Sequence, residues 1–218
     1  MRMKRPIITV AIDSPAAAGA GTLAKLISKE YNLLYLDTGK IYRVIGKLRL
    51  ERKYKFNYNS VKSKIANIRI KDLSNKNLLS NEVANSASII AKDLKIRKLV
   101  KNFQIHCAYN PPGNFKGSIL DGRDITSVIM KNAMFKFYIT ANLKTRALRR
   151  YKELKDLNKH VTYKEVLKSI KKRDKSDFTR KIAPLKKTKD SLLINTTNLN
   201  KRACFLKIKK IIDGKLNN

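Results

Sequence analysis

The start of the chain alternates between a continuous apolar run and apolar residues with helical spacing. Ile7 to Ile12 is a nearly unbroken, β-branched run, which is typical of a strand buried on both faces of a parallel sheet. A loop of small residues follows from 14 to 21, and apolar side chains then recur with helical spacing at Leu23, Leu26, Ile27 and Tyr31. With a second strand from Leu33 to Leu36, this order predicts a βαβ unit.

The same alternation continues through most of the chain. Further strands are predicted at Ser118–Leu120, Phe135–Ile139 and Leu192–Asn195, with helical stretches between them. Such an order predicts an α/β fold, a doubly wound parallel sheet with helices on both faces and right-handed crossovers. Because 218 residues suffice for one substantial core, we expect a single domain over residues 1–218.

One segment breaks the alternation. Residues from about 56 to 80 form short polar and apolar stretches rich in Asn, Ser and Lys, which indicates a small inserted subdomain. Further along, Thr162 and Glu165 form a capping-box signature for a helix that buries Val166 and Ile170. The last predicted helix spans about 201 to 216.

The chain is strongly basic. It has 50 lysines and arginines against 16 acidic residues, a formal net charge of +34, which favours phosphate-bearing partners. An alternative is that the lysines are compositional, because the chain is also rich in asparagine, as expected from an AT-rich genome. No apolar run is long enough to span a membrane, and the chain moves directly into a strand pattern, so we expect a cytoplasmic protein. Cys107 and Cys204 stand alone, which predicts neither a zinc site nor a disulfide.

The loop after the first strand partly matches a Walker A phosphate loop. Such a loop needs glycines for its backbone turns, a lysine that reaches the β- and γ-phosphates, and a hydroxyl near Mg²⁺. Gly19, Gly21 and Thr22 have the expected spacing, but Ser14 replaces the first glycine and Ala20 replaces the lysine. A plain strand-to-helix turn is the alternative. The predicted loop consists of Ser14, Pro15, Ala16, Ala17, Ala18, Gly19, Ala20, Gly21 and Thr22.

Four further segments follow this loop in the order LDTGKIYR, EVANSAS, LDGRD and RDKSDFTRKIAPL. Together with the loop they resemble the cytidylate kinase family over about 7–197, most weakly between about 48 and 76. The resemblance implies a P-loop nucleotide kinase fold. It also implies that the insertion, at about 56–88, binds a nucleoside monophosphate, and that a short lid with its flanking helix spans about 155–184.

The resemblance also assigns roles to single residues. Arg173 and Arg180 are implied to hold phosphates, and they share a predicted helix face with Asp177 at i, i+4 and i+7. For these three residues the alternative is an exposed salt-bridge pair. For Arg43 and Arg97 the alternative is a solvated position, and for Arg123 with Asp124 it is a structural ion pair. The residues implied to bind CMP are Thr38, Arg43, Ser88, Arg97, Arg123, Asp124 and Asp177.

The implied activity is transfer of a phosphoryl group from ATP, with Mg²⁺, to CMP and dCMP, giving CDP and dCDP. No metal ligand is assigned, because Mg²⁺ would arrive with the nucleotide, near Thr22. Since Ala20 leaves a cation missing, we expect Lys40 to replace the lysine, because it follows the second strand, which would lie beside the first in the usual sheet order. Lys25 is a poorer candidate.

Two other functions stay open. One is a weakened, nucleotide-binding regulator, which Ala20 and Ser14 favour. The other is nucleic-acid binding, which the charge favours but no recognisable binding motif supports. We therefore expect nucleotides as partners, no membrane, no specific nucleic acid, and a monomer.

Overall fold

The computed structural model describes residues 7–157 and 160–217. Within them, five strands and eight α-helices alternate along most of the chain. The strands are β1 (Ile8–Asp13), β2 (Leu33–Asp37), β3 (Gly117–Gly122), β4 (Phe135–Thr140) and β5 (Leu192–Asn195). The α-helices are α1 (Ala20–Tyr31), α2 (Thr38–Arg52), α3 (Tyr58–Ala66), α4 (Asn81–Ile90), α5 (Leu94–Tyr109), α6 (Leu143–Asp156), α7 (Tyr163–Thr179) and α8 (Lys201–Leu216).

The strands form one parallel sheet in the order β2-β3-β1-β4-β5. This confirms the predicted α/β sheet, and each predicted strand lies within two residues of an observed one. The register aligns the carboxyl ends, with Asp13 opposite both Gly122 and Tyr138 and Asp37 opposite Asp121. From β1 the chain goes first to one side of the sheet and later to the other. Open α/β sheets bind ligands at the carboxyl edge beside such a switch point.

Helices cover both faces of the sheet. On one face, Ile27 of α1 packs with Ile208 and Ile212 of α8 against β1 and β4. On the other face, Ile41 and Ile45 of α2 are buried with side chains of α3 and α5. Every one of these five isoleucines is fully buried. The two apolar layers therefore fix the sheet and leave its carboxyl edge to the loops.

Residues 53–80 form 3₁₀ turns at Lys53–Lys55, Ile70–Ser74 and Lys76–Leu79 around α3. Val61, Leu73 and Leu78 of this segment are buried in the same core as α2. Next along the chain, α4 approaches α2 closely at Gly46, where an added Cβ would lie 2.8 Å from the backbone nitrogen of Ala87. The absence of a side chain at Gly46 therefore sets how closely these helices pack.

α6 and α7 form a helical pair with its own small core of Ala147, Val166 and Ile170. The predicted capping box is confirmed, because Thr162 accepts from the Glu165 backbone N–H while the Glu165 carboxylate accepts from the Thr162 N–H. Residues 158 and 159 of the expected lid lie outside the described part.

Cys107 and Cys204 are both buried and free. Among the described residues, no helix is long and apolar enough to cross a membrane.

Candidate functional site

The predicted phosphate loop connects β1 to the first turn of α1. Gly19 precedes the helix in a left-handed conformation, with φ of 90°, and no side chain caps the helix start. Ala17 also has a positive φ, 59°, a conformation that a side chain with a Cβ disfavours. The loop is packed firmly, since Ser14, Ala16 and the other alanines except Ala17 are buried. Its backbone can accept an anion at the start of α1.

Two arginines of α6 hold this loop from outside. Arg146 donates through Nη1 to the Ala16 carbonyl at 3.0 Å. Arg149 donates to the backbone and side-chain oxygens of Thr196 at 2.6 and 2.9 Å, and the Thr196 hydroxyl donates to the Ala18 carbonyl at 3.1 Å. Sequence analysis missed these three residues. The two arginines, three positions apart on one helix, were the available signal.

Asp13, the last residue of β1, fixes the segment after β3. Its carboxylate accepts hydrogen bonds from the backbone N–H groups of Ile125 and Thr126 at 2.7 and 2.8 Å and from the Thr126 hydroxyl at 2.6 Å. Burial raises the pKa of Asp13 to about 6, although these hydrogen bonds oppose the rise. Asp124 precedes this anchored turn, so its backbone position is set by the sheet.

Asp124 pairs with two arginines from distant parts of the chain. Arg97 Nη2 of α5 lies 2.6 Å from one carboxylate oxygen, and Arg180 Nη2 lies 3.8 Å from the other. The Arg97 guanidinium also stacks over the Tyr42 ring, 5.8 Å from its centroid. The Arg97 side chain is only 11% exposed, so the solvated-face alternative is wrong. The other alternative, an ion pair between Arg123 and Asp124, is also wrong, because Asp124 pairs with Arg97 and Arg123 pairs with Asp177.

Arg123 instead contacts Asp177 of α7. Its Nε lies 2.7 Å from the carboxylate, while Arg173 and Arg180 approach the same group at 4.0 and 3.9 Å. The prediction of one ionic helix face needs a correction, because α7 ends at Thr179 and Arg180 lies beyond it in extended backbone. The stripe begun by Val166 and Ile170 continues at the buried Asp174, a residue that sequence analysis missed.

Several arginines converge beside this carboxylate. Desolvation by the surrounding protein, followed by the positive charges of Arg123, Arg43 and Arg150, lowers the pKa of Arg173, although the side chain is still 54% exposed. Burial likewise lowers the pKa of Arg43, whose Nη1 donates to the Leu78 carbonyl at 2.7 Å. The solvated alternative for Arg43 is therefore wrong. Arg150 was missed because it lies among many other basic residues of α6.

Three other predicted residues are not in these clusters. The Thr38 hydroxyl is buried and donates to the Asp121 carbonyl at 2.8 Å. Ser88 is exposed on α4 and makes no side-chain hydrogen bond to any described residue. Lys40 was expected to lie near the loop on the premise that β2 lies beside β1. That premise is wrong, because β3 separates the two strands.

A buried carboxylate lies close to the helix that follows the loop. A Cβ added at Gly21 would lie 3.4 Å from Asp121 Oδ2 and 3.2 Å from the Tyr35 hydroxyl. Asp121 Oδ1 is buried and has no hydrogen-bond partner within 7–157 and 160–217. Burial, followed by the charge of Asp37, raises the pKa of Asp121 well above its usual value. Thr22 is exposed one position further along α1.

A cavity of about 260 Å³ opens on the other side of the loop. It lies between the start of α1 and the segment that joins β5 to α8. Its volume is near the lower end for small-molecule sites, and its lining is mostly apolar. The lining residues are Ala18, Gly19, Thr22, Leu23, Arg149, Thr196, Leu199, Asn200, Lys201 and Cys204.

Comparison with known proteins identifies the family. The family model described as cytidylate kinase matches residues 10–213, which is nearly the whole chain. The chain belongs to the cytidylate kinase family. It is 38% identical to the cytidylate kinase of Clostridium tetani, covering 95% of this chain and 94% of that protein. It is 39% identical to that of Bartonella bacilliformis, covering 94% of each.

Solved structures support the fold at greater distance. An uncharacterised protein from Eubacterium ventriosum superimposes with a TM-score of 0.56 at 17% identity, covering 94% of this chain and 98% of that one. A protein from Thermus thermophilus superimposes with a TM-score of 0.50 at 14% identity, covering 98% of this chain and 99% of that one.

Membership of the cytidylate kinase family makes this chain a nucleotide-binding kinase, and so a transferase.

Proposed function

We propose that the protein transfers a phosphoryl group from ATP to CMP and dCMP, giving CDP and dCDP. The observation that carries this proposal is the group of four arginines at 43, 123, 150 and 173, in which the positive charges of the first three help to lower the pKa of Arg173. Arginine forms paired hydrogen bonds to phosphate oxygens, and its charge offsets that of a phosphoryl group. A cleft with this excess of fixed positive charge suits two phosphates brought together.

The acceptor base would bind where Arg97, Asp124 and Arg180 meet. Asp124 supplies carboxylate acceptors for an exocyclic amino group, and the arginines supply donors for a carbonyl oxygen and a ring nitrogen. Arg180 Nη2 is buried without a hydrogen-bond partner among the described residues, so it has a donor to offer. This arrangement of donors and acceptors fits the edge of cytosine. We keep Thr38 and Ser88 as weaker members of this site.

The donor would bind on the other side of the transfer point. Its phosphates would lie on the loop from Ser14 to Thr22, and its base would enter the cavity beside Arg149 and Thr196. Asp177, held by Arg123, would contact the acceptor sugar. The two nucleotides then approach from opposite sides of the carboxyl edge of the sheet.

The residues near α1 fit Mg²⁺ that is bound together with ATP. Mg²⁺ prefers oxygen ligands and usually keeps waters and phosphate oxygens in its shell, so it needs only one or two protein groups. The unpartnered Asp121 Oδ1 and the Thr22 hydroxyl are the groups that would hold it. When bound, Mg²⁺ would neutralise charge on the phosphate oxygens.

The protein's own part in the transfer is positioning and charge stabilisation. Phosphoryl transfer needs in-line placement of the acceptor and neutral surroundings for the moving group more than a general base. Arg173, Arg123 and Arg150 would stabilise the transferred group, and Arg43 would hold the acceptor phosphate. Losing one fixed cation, as at Ala20, costs on the order of 10²-fold to 10³-fold in turnover by analogy with a lost oxyanion donor.

Lys40 remains our candidate for the missing cation, now without the argument from strand adjacency. It is half-buried in the first turn of α2, and Arg43 follows it on the same helix. We expect Lys40→Ala to lower turnover by about 10²-fold with little change in the affinity for CMP. Ala20→Lys should restore activity to that variant. Lys29→Ala, an exposed lysine near the end of α1, is the control. Turnover of Lys40→Ala within about twofold of the parent would exclude this role.

A coupled assay of ADP release tests the function directly. With CMP, dCMP, UMP, AMP and GMP as acceptors, we expect kcat/KM for CMP and dCMP to exceed that for AMP and GMP by about tenfold or more, because Asp124 requires a suitably placed amino group. Equal use of AMP would exclude the proposal.

Ala20 and Ser14 favour a second candidate, a nucleotide-binding regulator. Tight nucleotide binding without turnover of any acceptor would establish that alternative.

A further inference from the structure

The phosphate loop holds a conformation that its own sequence disfavours. Ala17 has a φ of 59°, in the left-handed region where glycine is preferred. The position that a loop lysine would occupy is Ala20, which is 4% exposed and has no cation to contribute. Groups outside the loop must therefore maintain its shape.

Arg146 is the residue best placed to do so. It is 6% exposed and makes three contacts with three different elements. Its Nε donates to the Ala141 carbonyl after β4 at 2.9 Å, and its Nη1 donates to the Ala16 carbonyl of the loop at 3.0 Å. Nη1 also lies 2.7 Å from the Asp174 carboxylate on α7. One planar guanidinium thus ties the loop and α7 to the end of a central strand.

Asp174 makes this connection specific to α7. Its side chain is buried, and the carboxylate oxygen that does not contact Arg146 has no hydrogen-bond partner in the described chain. The same two elements also meet through apolar contact, because Ala17 packs against the α6–α7 core of Ala147, Val166 and Ile170. A glycine at position 17 would have no side chain to pack against this core.

The helix on the far side of this connection carries acceptor-site residues. Arg173 and Asp177 flank Asp174 on α7, and Asp177 accepts from Arg123. Arg146 and its buried ion pair with Asp174 thus connect the loop at Ala16 to α7. Any coupling between the two sites acts in both directions, because a coupling free energy is reciprocal.

We infer that Arg146 and Asp174 are positioning residues that couple donor binding at the phosphate loop to acceptor binding at α7. This inference rests on the proposed function, since it assumes that ATP and CMP occupy these two places. Neither residue needs to touch a substrate. The pair holds the loop in its strained form and makes ordering of the loop and ordering of α7 a single event.

Calorimetric titration can measure this coupling without turnover. The affinity for a non-hydrolysable ATP analogue is measured with and without saturating CMP, and the ratio is the coupling factor. For the natural sequence we expect a factor of about 5 or more, in the usual range for coupled sites. The test variant is Arg146→Met with Asp174→Leu, because replacing a buried ion pair by apolar residues of similar volume commonly preserves folding, whereas removing one partner does not.

A matched control changes an exposed ion pair. Lys209 Nζ of α8 lies 2.6 Å from Glu30 Oε1 of α1. Neither residue belongs to the proposed donor or acceptor site. Glu30→Gln with Lys209→Met removes this pair with the same number of substitutions and should leave the coupling factor unchanged. Arg146→Lys is a second test variant, because it keeps the charge beside Asp174 but loses the planar fork.

We expect the double variant to retain CMP affinity within about twofold while its coupling factor falls below about 2, and Arg146→Lys to give an intermediate factor. A folded double variant with the natural coupling factor would overturn the inference. If the double variant does not fold, an unchanged factor in Arg146→Lys would overturn it equally. The inference is also contradicted if the natural protein phosphorylates CMP but its coupling factor is about 1. Failure to form ADP from ATP and CMP would instead refute the proposed function.

Discussion

Thr196→Val tests whether the loop is held from outside, because it removes one hydroxyl and keeps the shape of the side chain. Thr196 is 3% exposed; its hydroxyl donates to the Ala18 carbonyl and accepts from Arg149. Valine supplies neither interaction. Arg149 keeps its bond to the Thr196 backbone carbonyl, so the arginine stays in place.

The expected cost follows from these two interactions. Leaving the buried Ala18 carbonyl unpaired costs about 1–3 kcal/mol, and losing a hydrogen bond from a charged donor that retains another acceptor adds at most about 1 kcal/mol. We expect a loss of about 2–3 kcal/mol in the free energy of unfolding, which lowers Tm by roughly 4–12 °C for a domain of this size. We also expect KM for ATP to rise more than KM for CMP.

Urea denaturation followed by circular dichroism measures the first effect, and initial rates measure the second. Thr197→Val is the matched control, because the hydroxyl of the adjacent threonine bonds Asn195 and the Asn142 N–H at an exposed position where water can replace it. That variant should stay within about 0.5–1 kcal/mol of the natural protein. Thr196→Ser, which restores the hydroxyl, should recover most of the loss. If both valine variants lose the same free energy, the loop does not depend on Thr196.

Three further outcomes are expected. Gly46→Ala should lower the free energy of unfolding by about 1–3 kcal/mol in urea, because its Cβ would meet the Ala87 backbone nitrogen at 2.8 Å, and a neutral effect would show that α2 and α4 separate easily. Asp177→Asn should raise KM for CMP by about tenfold, through its weaker bond with Arg123, and leave KM for ATP unchanged; equal changes in both would contradict the assignment. The raised pKa of Asp121 means that the folded protein binds this proton more tightly than the unfolded chain, so its contribution to stability falls as pH rises above about 4. Asp121→Asn should flatten that fall when stability is measured between about pH 4 and 7, whereas parallel pH profiles for the two proteins would refute the shift.

Local patterns were sufficient to predict most of the elements. Each buried strand is a short apolar run bounded by loop residues, and such a run can be recognised without knowledge of its neighbours. The capping box at Thr162 is equally local, because both partners lie within one helical turn. The position of the predicted phosphate loop between β1 and α1 follows for the same reason.

Pairing between distant residues was not accessible in this way. Arg97 meets Asp124 and Arg123 meets Asp177 only because the sheet and the packing of α7 bring segments of long sequence separation together. A structural ion pair between adjacent Arg123 and Asp124 was the alternative suggested by their spacing, yet the Arg123 side chain donates to Asp177 and the Asp124 carboxylate accepts from Arg97. The choice of Lys40 likewise assumed that β2 lies beside β1. In the sheet β3 lies between these two strands.

The sequence by itself therefore determined most of the secondary structure, the α/β class and the segments that we propose form the site. Only the tertiary structure decided that Arg146, Arg149 and Thr196 support the loop. Arg146 and Thr196 donate to backbone carbonyls of a loop more than a hundred residues earlier, and Arg149 holds Thr196. A backbone carbonyl has no signature in the sequence, and among 50 basic residues an arginine that fixes a loop looks the same as a solvated one. Burial and distance distinguish them, and both are properties of the folded chain.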